Sequence, residues 1–493
     1  MLRKGPKQLR FVLSPSIYDK IIPEDHFLRK LDNHVDWSRL GAKCHHLYCE
    51  NNGRPVTNYP RKMFKAEVLE YLHNWTDRDV VEYARYHLAV KWFLELELEE
   101  EPFDFSALSK FRKKLGVKVH TELFLDILRQ IDEAGLLDSH LQFTDSTSIE
   151  GNVALLKTSK LIQKGCLNLE RKLKEEGCKT EVTFEKKESL QKTAEKAFYL
   201  LEIASNIPET EYEREILKGL LEDYTECTDG VVKERKKKGE NRIVSVTDPD
   251  VRWGAKSDDE MWVGYKFHNM MTENRFITSV DVTPANVTDD KRALPLYDQV
   301  EKKPAVTVGD AAYGTGKNRR EFTERGCQLV SPLRGQENPT KLFSKLKFPY
   351  DGETVTCPQG KVTGKFTINK RTKALVFRFR GSDCQNCPLK PQCTTGTYRT
   401  ISISHYQKEF DEAAEFNATP EYKSLMKKRP LIESKYSEMK HSHGLKRARY
   451  RGLDRVTIQA LLTAIVANLK NFIRLLTEAA QQAPQRKLSI SLG

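Results

Sequence analysis

The sequence predicts an α/β protein with helical regions at both ends and two insertions, and three observations carry that expectation. Short apolar strands recur at well-separated places, and two of them deliver an aspartate at their C-terminal end: Leu141–Thr147 with Asp145, and Ala305–Asp310 with Asp310. Around them lie stretches rich in Leu, Lys and Glu at the 3.6-residue helical period. Four of the ten cysteines, Cys357, Cys384, Cys387 and Cys393, fall in a region without that period. A length of 493 residues suggests about three domains, at about 150 residues each.

Residues 1–120 read as a helical, self-contained N-terminal domain. Thr76 suits an N-cap, with Asp77 and Asp79 in the first turn of a helix through Val80, Tyr83, Leu88 and Val90. The alternating run Leu94–Glu99 reads as a strand or as the end of that helix, and Pro102 closes it. Ser106–Leu115 is a short basic helix, either the second element of a helix-turn-helix-like unit or a packing helix with a solvated basic face. A further helix over 120–136 stops at Gly135, and Leu141–Thr147 is the first strand. From Leu155 to Tyr224 the pattern is that of an inserted helical hairpin, followed by the charged linker Lys233–Lys238. Strands return over Trp262–Val282, Ala305–Asp310 and Gln328–Ser331. The helical pattern resumes at Leu431, the last helix ends near Ala479, and the tail is expected to be disordered.

Lys plus Arg number 82 against 69 Asp plus Glu, a net charge of +13. Ten Lys/Arg and three Asp/Glu fall between Lys427 and Arg455, so +7 of the total sits in 29 residues. Such concentration favours a polyanionic partner through counterion release. The most apolar stretch, Leu461–Leu476, is interrupted by Thr463, Asn468, Lys470, Asn471 and Arg474, and reads as an amphipathic helix rather than a membrane span. MLRKGPKQLRF has no apolar segment and cleavage site behind it, so export by signal peptide is not expected. With the other cysteines (Cys44, Cys49, Cys166, Cys178, Cys227, Cys327) scattered, a secreted disulfide scaffold is also disfavoured.

Acids at strand ends gather where an open α/β sheet does its chemistry. Asp145 and Asp310 fit that pattern, and a third acid, Glu433, opens the most basic region of the chain. Each alone reads as readily as a cap or an ion-pair partner. Three from distant segments could instead converge on a pair of hard divalent cations suited to phosphoryl transfer. The segments FTDSTSIEGN, DPDVRWGAKSDDEMWVGYKFH, VDVTPANVTDD, VGDAAYG and RPLIESKYSEMKHSHGLKRARYRGL decide between these readings. In this order they closely resemble bacterial insertion-sequence transposases of the DDE type, the branch with a helical N-terminal domain and a cysteine-rich insertion before the last acid. The resemblance extends to NWTDRDVVEYARYHLAVKWFLEL and SALSKFRKKLG near the front.

The resemblance implies a ribonuclease-H-like α/β catalytic core, with Asp145, Asp310 and Glu433 as its catalytic acids and two Mg²⁺ or Mn²⁺ ions per site. The core would comprise 121–154 and 236–340, with 155–235 a helical insertion, 341–405 a cysteine-rich β insertion, 406–480 the helical part carrying the last acid, and 481–493 the tail. The implied activity is cleavage at the terminal inverted repeats of the element, then attack of the freed 3′-hydroxyl on target DNA. A cytoplasmic, nucleoid-associated bacterial enzyme acting on double-stranded DNA as a homodimer, without a membrane, is the expectation. The family's last motif spaces Tyr, Arg, Glu and Lys at fixed intervals; Arg429, Glu433 and Lys440 fit it, while Met426 stands at the tyrosine position.

Lys266 and His268 share one face of a strand and are candidate DNA contacts near Asp145. Lys446, Arg447, Arg449 and Arg451, with Tyr450 for stacking, are candidates for phosphate binding, beside Arg429 and Lys440. The Cys384-x-x-Cys387 pair with Cys357 and Cys393 offers four thiolates for a structural Zn²⁺. The alternatives are a catalytically silent, domesticated DNA-binding protein and a metal-dependent endonuclease without strand transfer.

Overall fold

The computed structural model describes residues 17–48, 58–256, 259–333 and 342–482; MLRKGPKQLRF, Cys49 and the tail from residue 483 lie outside them. The chain divides into two compact units, one built from residues 1–138, 146–287 and 432–493, the other from 139–145 and 288–431.

The centre of the first unit is the helix Leu453–Gln482. Leu462, Ala464, Ile465 and Val466 have no exposed surface, the mark of a helix apolar on all sides and enclosed by protein. It packs on the helices Ser106–Glu133, Pro60–Leu72 and Phe27–His34. Its length and composition would let it cross a membrane, yet 89% of its most apolar stretch is buried inside the protein. The expected amphipathic helix is therefore corrected in part: Thr463, Asn468 and Asn471 turn inward, while Lys470 is partly exposed and Arg474 exposed. Thr463 and Asn468 are fully buried. The Asn468 Oδ1 accepts the Ile277 N–H, and its Nδ2 donates to the Ile277 carbonyl, each at 2.8 Å.

The N-terminal helices thus share a core with the far end of the chain, rather than standing alone over 1–120. Thr76 caps the helix Asp77–Tyr86 as predicted: Thr76 Oγ1 accepts the Asp79 N–H while the Asp79 carboxylate accepts the Thr76 N–H at 2.8 Å. That helix stops at His87, whose backbone is extended, and a second runs over Leu88–Phe93. The run after it forms turns, not a strand. The two helices expected after Pro102 stack into one element, Ser106–Glu133, bent where Gly116 takes φ +63°.

Strand β1, Leu141–Glu150, contributes to both units, the second as far as Asp145 and the first from Ser146. In the first unit, the insertion is three helices, Thr158–Glu175, Leu190–Ala204 and Glu211–Tyr224, around Leu161, Leu169, Ala197 and Leu217. A hairpin of β2 (Thr225–Thr228) and β3 (Val231–Glu234) follows, turned at Asp229-Gly230 with both residues at positive φ. Beyond it, β4 (Arg252–Ala255) and β6 (Ile277–Pro284) pair antiparallel with successive stretches of the long β5 (Met261–Thr272). Gly264 on β5 is obligatory: a Cβ there would lie 2.1 Å from the Ile149 carbonyl oxygen.

In the second unit, β1 pairs parallel with β7 (Val306–Val308), and β7 with β8 (Gln328–Val330). The cysteine-bearing region is β-rich, as expected. It has a hairpin of β9 (Val355–Thr356) and β10 (Val362–Thr363), and an antiparallel sheet of β11 (Phe366–Ile368), β12 (Leu375–Arg378) and β13 (Thr400–Ile403). Phe348, Val355, Phe377, Phe379, Ile401 and Ile403 form its small core. Helices resume at Gln407, earlier than Leu431, as Gln407–Asn417 and Pro420–Lys428. Of their side chains only Ala413 is buried, so they carry little of the apolar stripe by which a helix is read.

Candidate active site

Phe143 of β1 is level with Val308 of β7, and the strands run parallel. Two residues beyond each partner come Asp145 and Asp310. Alternate strand residues share a face, so the same register continued past the end of β7 brings Asp310 level with Asp145. Asp310 follows β7 after one glycine, whereas β1 continues five residues past Asp145. The first acid therefore sits in mid-strand, not at the strand end that the sequence suggested. Arg429 reaches it: Nη2 donates to Asp145 Oδ2 at 3.1 Å, with the two side chains 22% and 12% exposed.

The turn carrying Asp310 is fixed by its own hydrogen bonds. Asp310 Oδ1 accepts the Ala312 N–H at 2.7 Å, and its carbonyl accepts the Ser331 hydroxyl at 2.6 Å. The next aromatic, Tyr313, is completely buried. Burial pushes its phenol well above the ordinary range, and the charges of Asp289, Asp145 and Asp310 push the same way. Three carboxylates therefore bear on one enclosed hydroxyl. Asp289 and Tyr313 join the site only in the folded structure, although the first stands in the motif VTPANVTDD and the second in VGDAAYG.

Glu433 belongs to the first unit, exposed on the helix Pro430–Ser442. That helix buries Ile432, Tyr436 and Met439, and the Tyr436 hydroxyl donates to Asn269 Oδ1 at 2.6 Å. Lys440, half-buried near the helix end, donates to Ser148 Oγ on β1 at 3.1 Å. Burial lowers its pKa; Lys256 and Lys446 add to the effect while Glu150 and Glu260 oppose it.

The expected DNA contacts separate into accessible and committed groups. Lys446, Arg447 and Arg451 are exposed. Arg449 is not available: its guanidinium donates to Glu70 Oε1 at 2.9 Å, to the Trp75 carbonyl at 2.8 Å and to Asn74 Oδ1 at 2.6 Å. Glu70 also takes Arg112 at 2.7 Å, and the Arg112 guanidinium lies over the ring of Tyr450, which is thereby spent on packing. His268 is likewise corrected: it is fully buried, with Nε2 2.9 Å from Thr283 Oγ1, while Lys266 on the same face is half-buried.

Cys357, Cys384, Cys387 and Cys393 line one cavity of about 180 Å³. Burial raises the Cys393 thiol pKa; Arg399 opposes this, and the other three thiols add to it. Soft sulfur donors around one space fit zinc chemically. Among the described residues, however, no three or more His, Cys, Asp or Glu side chains are clustered as a metal site.

Comparison with known families bears on this arrangement at both ends of the chain. Residues 16–114, the N-terminal helices, match the family described as Transposase domain (DUF772). Residues 356–473 match the family described as Transposase DDE domain. The second match takes in the cysteine-bearing sheet and Glu433, whereas Asp145 and Asp310 precede it. No curated protein matches the chain. Together the matches define a transposase. Within that class, the two matches support an insertion-sequence transposase of the DDE type.

Proposed function

We propose that the protein is an active transposase with a ribonuclease-H-like core, which binds the terminal inverted repeats of its element, cleaves their ends and joins them to target DNA. The observation that supports this reading is that Asp145, two residues past the last β1–β7 pair, and Asp310, two residues past its partner, both act electrostatically on the buried Tyr313 hydroxyl. Two oxygen donors so placed suit a hard cation such as Mg²⁺ or Mn²⁺, with Glu433 supplying the third carboxylate. When bound, such ions supply Lewis acidity and a nucleophile for in-line phosphoryl transfer. Arg429 balances the charge of Asp145 in their absence and, with DNA present, orients a phosphate beside the reacting bond. Lys440 acts likewise from its place on Ser148. Lys446, Arg447 and Arg451 follow the DNA backbone, Lys266 contacts DNA near the acids, and Arg449 holds the basic loop in position. The N-terminal helices contribute to DNA binding, the enzyme works as a homodimer in the bacterial cytoplasm, and the four cysteines hold a structural zinc.

The test is a strand-transfer assay with Mg²⁺ and labelled DNA carrying the inverted repeats that flank the gene. Joined products with the native protein, and none with Asp145→Asn or Asp310→Asn at unchanged fold, are expected. Cleavage without joining would indicate an endonuclease, and binding alone a silent DNA-binding protein. Full activity of Asp310→Asn would refute the assignment. For zinc, metal analysis should find one equivalent, lost in Cys384→Ser.

A further inference from the structure

The turn between β5 and β6 spans Glu273–Phe276, and Arg275 within it has φ +72°. A left-handed position in a hairpin turn ordinarily favours glycine or asparagine. An arginine held there against that preference points to the side chain as the part to account for. Its Nη2 donates to Ser434 Oγ at 3.0 Å, beside Glu433 in sequence, while its Nε is buried with no acceptor.

Arg275 lines an open cavity of about 570 Å³ in the first unit. Lys30, Lys435, Lys470 and Arg474 line it too, against the acids Asp25, Glu438 and Glu478. Five cations face three carboxylates. Glu438 is shared by Lys435 at 2.9 Å and Lys470 at 3.3 Å, and Glu478 is taken by Arg474 at 2.7 Å. Among the described residues, Lys30 and Arg275 have no carboxylate partner. The surplus is positive, and at least one buried N–H still lacks an acceptor.

We propose that this cavity binds a backbone phosphate of a DNA strand, with Arg275 as its anchor and Lys30 as the second cation. The inference rests on the reading of the protein as a DNA transposase and adds a contact which that reading does not contain. Lys435 and Glu433 are two residues apart, about 200° around their helix, so the cavity lies behind the face that presents Glu433. A phosphate gripped there would hold the DNA strand against the rear of the helix and, through Ser434, fix the segment bearing the third acid.

The test uses the full-length protein and a short fluorescent DNA duplex, with binding followed by anisotropy over a range of NaCl concentrations. Each phosphate contact contributes about 0.9 to the slope of log K against log salt. Arg275→Gly keeps the left-handed turn and removes the guanidinium, so its thermal midpoint should be no lower than that of the native protein, and its slope should be shallower by about 0.9. Arg275→Lys should keep the slope, and Lys30→Ala should lower it as Arg275→Gly does. Native slopes in both Arg275→Gly and Lys30→Ala would overturn the site while leaving the transposase reading intact, provided the native protein binds and cleaves DNA. Failure of the native protein to bind any duplex would overturn both.

Discussion

Replacing Asn468 by leucine tests whether the polar residues of the central helix are internal clamps. The side chain is fully buried and both its groups are used, one accepting the Ile277 N–H and the other donating to the Ile277 carbonyl. Ile277 opens β6 at the point where the register with β5 shifts. The asparagine amide thus takes the part that a neighbouring strand would play there. Leucine has similar volume but leaves one donor and one acceptor buried without partners. At about 1–3 kcal/mol for each orphaned group, the loss is about 2–6 kcal/mol, less whatever the apolar side chain regains. Urea unfolding should report that loss. Hydrogen exchange at the Ile277 amide should be faster by about 5- to 150-fold, the factor equivalent to about 1–3 kcal/mol at that one bond. Stability within about 0.5 kcal/mol of the native protein, together with unchanged exchange at Ile277, would refute the reasoning.

Arg429→Ala should cost about 1–3 kcal/mol in urea unfolding, because it removes a charged donor from the largely buried Asp145 carboxylate. Strand transfer should fall about 10- to 100-fold through misplaced phosphate, and an unchanged rate would remove the proposed role. Gly264→Ala should destabilise by more than about 3 kcal/mol and lower the soluble yield, since its Cβ would collide with the backbone of β1. Burial raises the pKa of Glu438, but the hydrogen bond with His443 and the charges of Lys435 and Lys470 outweigh it, and the net shift is downward. A depressed carboxylate binds fewer protons in the folded state than in the unfolded one, so its stabilisation is present above the ordinary glutamate range and is lost as pH falls through and below it. Glu438→Gln should flatten that acid limb of the stability curve, as measured by thermal unfolding from neutral pH downward.

What could be read from the sequence was local. The Thr76 cap, the break at Gly135, the β character of the cysteine region and the strands carrying both aspartates are encoded in neighbouring residues, and each was legible. The charge run at 446–451 was also visible. Its division into exposed Lys446, Arg447 and Arg451 and committed Arg449 was not, because Glu70 and Asn74 are more than 370 residues away in sequence. The burial of His268 is hidden from the sequence for a similar reason. Strand periodicity gives the face a residue shares, but not whether that face is covered. The polar breaks at Asn468 and Asn471 read as a wet face because the backbone groups that receive them lie at Ile277 of β6 and Asn274 of the turn before it, far away in sequence. Asp289 and Tyr313 needed the tertiary structure to appear beside Asp145 and Asp310, and Arg275 needed a backbone angle.

The burial of the last helix among the first ones has a consequence for synthesis. A ribosome releases the N-terminal helices hundreds of residues before it makes the segment that covers their apolar sides. Until residues near 470 emerge, those sides must be shielded by something else or remain exposed. A premature stop or frameshift late in the gene would therefore remove more than a tail: it would leave the opening domain without its interior. Such shortened products should be cleared by proteolysis rather than persist as DNA-binding competitors of the full-length enzyme.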